Sequence, residues 1–152
     1  MNLVNEIKQA QIHARKNKEK TRSSILTLLY SEIVSIGKNN GNRETTDGES
    51  IKVIKSFIKN INEVKDNLLK KEQTDTIKLK VQVAINEISI CEMFLPKQMH
   101  PDELKMAIDQ ILSKEENKSM KVMGKVMGIL NKEYTGLFDG KDASLILREK
   151  LK

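Results

Sequence analysis

The side chains that could hold a metal, attack a carbonyl or move a proton are few, and their spacing is poor for all three tasks. His13 and His100 lie far apart, and neither falls in an HExxH spacing or next to a cysteine, so a zinc site is not expected. Cys91 is the single cysteine and sits in the apolar repeat NEISICEMFL. It reads as a small buried hydrophobe, because a reactive thiol needs an accessible, electropositive setting. No internal disulfide can form, which favours a reducing, cytoplasmic setting. The carboxylate pair Glu115–Glu116 stands in a polar stretch and reads as a solvated face. GxxxxGK[ST], GxGxxG and GxSxG are all absent. The expectation is therefore no catalytic residue, no metal and no cofactor.

One spacing does stand out. In SMKVMGKVMGIL (119–130), Gly124 and Gly128 lie four apart on one face of a helix-forming stretch. Each costs on the order of 1 kcal/mol against alanine, so something should come close to that face. A membrane-dimer reading fails because Lys121, Lys125 and Lys132 punctuate the stretch. Close packing by a neighbouring helix is the favoured reading. Approach of an RNA backbone held by the adjacent lysines is the other, and periodicity does not separate them. The expectation carried forward is that both glycines seat this helix tightly, with Lys121 and Lys125 on its rim.

Charge gives the second signal. Of a net +6, residues 1–22 hold four, with Lys8, Arg15, Lys16, Lys18, Lys20 and Arg22 against Glu6 and Glu19. A solvated helix end and a phosphate-contacting surface explain this equally well. Aromatics are only 3% and tryptophan is absent, which argues against a base-stacking platform. No apolar run approaches the roughly 20 residues of a membrane span.

These residues must be positioned by helices. The only prolines, Pro96 and Pro101, mark a boundary between an N-terminal unit (1–95) and a C-terminal one (96–152). Upstream, apolar stripes predict four helices, at about 3–18, 21–37, 49–70 and 74–95, separated after the second by the polar loop GKNNGNRETTDG. Downstream, Pro101 suits a first helical position, Ser119 caps the methionine helix, and Asp139 or Asp142 caps a last one. Met120, Met123, Met127, Leu130 and Tyr134 form a second stripe that reads as core. The fold class is all-α, a four-helix bundle-like unit followed by a small three-helix domain.

Several segments together resemble a known family. KNKEKTRSSILTLLYSEI (16–33), EISICEMFLPKQM (87–99), SMKVMGKVMGIL and GLFDGK (136–141) are similar, in order, to the YqeY-like proteins. The resemblance spans nearly the whole chain. It implies an N-terminal helical bundle and a tail akin to the C-terminal domain of the B subunit of tRNA-dependent amidotransferases, a module that contacts tRNA away from the catalytic centres. The chain departs from the family pattern at Asn131, at Leu137 and Phe138, and at Thr27.

The resemblance and the charge together imply a non-catalytic RNA-binding accessory protein, with tRNA as partner. Its phosphate contacts would be Arg15, Lys18, Lys20, Arg22, Lys97, Lys121, Lys125, Lys141 and Arg148, with Gly124 and Gly128 permitting close approach. The alternative is a protein–protein adaptor for a translation or nucleic-acid enzyme, contacting its partner through the glycine face and Leu137–Phe138. Glutamine-dependent amide transfer ranks third, since the catalytic domains of those enzymes are not represented.

Overall fold

A computed structural model describes residues 2–151. Among these, seven α-helices and one 3-10 turn account for the regular structure, and there is no strand. The chain divides into two compact units, Met1–Leu95 and Pro96–Lys152.

Unit 1 holds four helices: α1 (Leu3–Lys16), α2 (Lys20–Asn39), α3 (Asp47–Leu69) and α4 (Asp75–Glu92). The packing is chiefly α1 on α2 and α3 on α4. The core joins Ile7, Ala14, Ile25, Leu26, Leu29, Ile33, Ile54 and Cys91. Helix α1 ends at Lys16, earlier than the stripe suggests, because Lys18 turns left-handed (φ 59°) to reverse the chain. Helix α4 stops at Glu92, short of the expected Leu95, in keeping with a proline at 96 that biases the residue before it away from helical geometry.

The loop after α2 folds back onto its last turns. Buried Thr45 donates its hydroxyl to the Ile33 carbonyl (2.6 Å) and accepts from Gly37 N–H (3.1 Å). An undisturbed helix would pair those two backbone groups with each other. Gly37 makes the contact possible, since a Cβ there would lie 2.1 Å from the Arg43 carbonyl oxygen. Helix α3 then starts on a capping box. Thr46 Oγ1 accepts from Glu49 N–H, and the Glu49 carboxylate accepts from Thr46 N–H.

Unit 2 contains α5 (Pro101–Ser113), a 3-10 turn (Met120–Val122), α6 (Met123–Glu133) and α7 (Gly140–Lys150). Its core gathers Leu104, Ile108, Ile111, Leu112, Val126, Leu130, Phe138, Ala143, Leu147 and Leu151. Pro101 is the first helical residue of α5, and His100 is its N-cap, part of a capping box completed by Glu103. Ser119 caps the 3-10 turn, and α6 follows only at Met123. Asp139, not Asp142, caps α7.

A strap ties the connector to the loop before α7. Met99 N–H donates to the Leu137 carbonyl (2.7 Å), and Gln98 Nε2 donates to the Gly136 carbonyl (2.9 Å). LPKQM and GLFDG, distant in sequence, thus meet in space. Gly136 needs its left-handed φ of 76° there.

Candidate nucleic-acid interface

Each unit brings some of the candidate cations together and leaves others apart. In unit 1, the α1–α2 turn carries Arg15, Lys18, Lys20 and Arg22, the first three exposed and Arg22 half-buried. Local rules are broken there. The left-handed position that follows a helix end favours glycine, yet Lys18 occupies it. The residue before α2, Glu19, makes no side-chain capping bond. Lys20 and Arg22 stand in the first turn of α2, where the helix dipole disfavours cations. Only Arg22 is near a carboxylate, Glu19 at 3.8 Å. Thr21 lines a shallow recess here with Lys20 and Arg22, faced across it by Asn86 and Ser89 of α4. Hydroxyl, amide and two cations around uncapped backbone N–H groups suit a phosphate oxygen, although the Glu19 carboxylate lines the same recess and offsets part of that charge.

Unit 2 corrects the tight-packing expectation for the glycines. A Cβ built at Gly124 or at Gly128 meets nothing within 4 Å, and both residues are exposed. Helix α6 buries its opposite side through Val126 and Leu130. The open side reads Lys121, Gly124, Lys125, Gly128, Lys132, each one to four residues from the next. Lys125 is not a free cation, because its Nζ lies 2.8 Å from Glu115 Oε1. Lys132 extends the row. It is absent from the contact residues expected above, although its spacing of four from Gly128 is visible in the sequence.

The remaining candidates are exposed but dispersed. Lys97 lies on the strapped connector, Lys141 in the first turn of α7 and Arg148 in its last. Leu137 and Phe138, the apolar pair expected at an adaptor contact, differ in exposure. Phe138 is buried in the unit 2 core, and half-buried Leu137 holds the strap. In the methionine stripe, Met123, Met127 and Tyr134 pack on the core, while Met120 is exposed.

The groups first considered for chemistry have local roles. His13 contacts the Asn17 amide, and His100 Nδ1 accepts from Asp102 N–H. Cys91 is buried in the unit 1 core. Desolvation, with added repulsion from Glu87 and Glu92, pushes its thiol up to about 11. Among the described residues no three His, Cys, Asp or Glu side chains form a group able to hold a metal ion, and no helix is long and apolar enough to cross a membrane.

No curated protein matches the chain at a significant level. A family model described as Yqey-like protein matches residues 4–151, nearly the full length. Both the basic turn of unit 1 and the glycine face of unit 2 fall within that match, and the chain belongs to the YqeY-like family.

Proposed function

We propose that this protein is a non-catalytic accessory module that holds structured RNA, tRNA foremost, by its phosphate backbone. The observation that carries the reading is the exposed Lys121–Gly124–Lys125–Gly128–Lys132 row. Two helix-weakening glycines with no internal neighbour leave room for a backbone to approach α6 closely. Lys121 and Lys132, at the two ends of the row, supply the charge that a phosphate requires, while Lys125 between them is already paired with Glu115. The basic α1–α2 turn offers a second set of contacts, and the likeness of the tail to the tRNA-contacting module of amidotransferases supports the same partner. Recognition is by shape and charge, because aromatic side chains for base stacking are few.

Filter binding of bulk tRNA at low and moderate salt tests the reading. Binding at low salt that weakens steeply as salt rises is expected. Gly128→Glu, which fills the open face with an anion, should weaken it further while the fold persists. No retention of tRNA at low salt rejects the proposal. Capture instead of a protein that survives nuclease treatment would favour an adaptor role for the same face.

A further inference from the structure

Residues 55–83, the distal part of the α3–α4 hairpin, contain no buried residue. The stretch nevertheless carries Phe57, Ile61, Val64, Leu68, Leu79 and Val83, which line a groove of about 680 Å³ floored by Ile25 and Leu28 of α2. Three large side chains on it are more than half exposed: Leu28 (61%), Val64 (56%) and Leu79 (66%). From Phe57 to Leu68 the groove runs about 16 Å, roughly three helical turns. Apolar area of this kind, concentrated on one face, marks an association surface.

The charges on the groove say what covers it. Its only ionisable lining groups are Lys80 and Glu87, both on α4 and seven residues apart. That separation is about 10 Å along the axis, too far for them to pair with each other. Neither makes an ion pair or hydrogen bond among the described residues. Glu87 is half-buried, and desolvation raises its carboxyl above the usual range. Midway between the two stands half-buried Val83, with Ala84 beside it already buried inside unit 1. A two-fold axis at that midpoint converts each unpaired charge into a partner for the other. Residues 23–95 carry no net charge, and the groove itself holds one cation and one anion, a balance that does not favour a polyanion.

We propose that this groove is closed by a second copy of the chain, α4 antiparallel to α4, with Lys80 of each copy against Glu87 of the other. Leu79 of one copy then fills the groove of its partner, in the self-complementary arrangement a two-fold interface demands.

Light scattering and sedimentation of the full chain, free of RNA, test this. The mass should rise from 17.3 kDa towards twice that value between micromolar and hundreds of micromolar protein. Lys80→Glu and Glu87→Lys, each at a solvent-accessible site, should separately weaken self-association by on the order of tenfold or more. The double variant K80E/E87K restores the pairing with its signs exchanged, so it should recover association to within a few-fold. Leu79→Ala, too mild to unfold the hairpin, should also weaken it. A single mass of 17.3 kDa at every concentration overturns the inference in favour of an external helix or apolar ligand. Association indifferent to the single reversals, or not rescued by the double one, places the contact elsewhere and overturns it equally.

Discussion

At the residue scale, glycines in three helical positions face opposite physical situations. Gly37 is pressed against backbone, with the Arg43 carbonyl 2.1 Å from a built Cβ and Thr45 N at 2.9 Å. Backbone atoms held by the Thr45 bridge cannot shift cheaply, so Gly37→Ala should cost about 3 kcal/mol through overpacking. Gly124 and Gly128 border open space. Alanine at either should stabilise unit 2 by about 0.5–1 kcal/mol, since only helix propensity changes. Denaturant midpoints of the three variants would measure both signs, and a loss at Gly128→Ala would restore the packing reading. The sequence offers no means of telling these glycines apart. The GxxxG spacing suggests close approach where the helix is bare, while Gly37 lies in what reads as the start of a loop. What distinguishes them is a contact from six to eight residues further along, which local spacing does not encode.

At the element scale, helix starts are legible wherever the cap is a short polar side chain next to an apolar stripe. Ser119 and Asp139 mark real starts in this way, and Pro101 marks one as a first helical residue. His100 escapes such reading because histidine is an unusual cap, although Glu103 three residues later supplies the capping-box signal. Stripe length is a poorer guide to burial. The stripes of α3 and α4 run almost unbroken, yet α4 buries only Ala84 and Cys91. Periodicity reports which face is apolar and says nothing of whether a neighbour reaches it. The start of α3 carries its own prediction. The Arg43 guanidinium, at 2.6 Å and 2.9 Å, and the Thr46 N–H hold Glu49 well below the usual carboxylate range, at about 2. A carboxyl depressed on folding stabilises the native state above its unfolded value near 4.5, and that contribution fades as pH falls towards 2. Glu49→Gln should therefore flatten the loss of stability between pH 4.5 and 2 and lower stability at pH 7. Urea melts across that range would read the difference, and identical profiles for both proteins would refute the role of this cap.

At the scale of the whole molecule, charge is placed rather than spread. The first 22 residues hold four of the six net positive charges, the middle of the chain is balanced, and unit 2 sets three of its ten lysines along one open helix face. The uneven distribution is legible in the sequence, because charge needs only counting. The violated local rules at the α1–α2 turn are not, because they depend on φ at Lys18 and on where α2 begins. Those violations yield a test that separates function from stability. Glycine at position 18 relieves a left-handed conformation that costs a side-chain-bearing residue about 1 kcal/mol, so Lys18→Gly should raise the melting temperature. The same change removes one cation from the proposed phosphate surface. If Lys18 contacts phosphate, log affinity for tRNA plotted against log salt should lose about one unit of slope, and affinity at low salt should fall. Lys132→Ala, in unit 2, should lower the slope similarly without relieving any such strain. A residue kept for folding would lose stability on replacement and leave the salt slope alone. Higher stability paired with weaker, less salt-sensitive binding is the outcome that only a functional lysine at 18 produces.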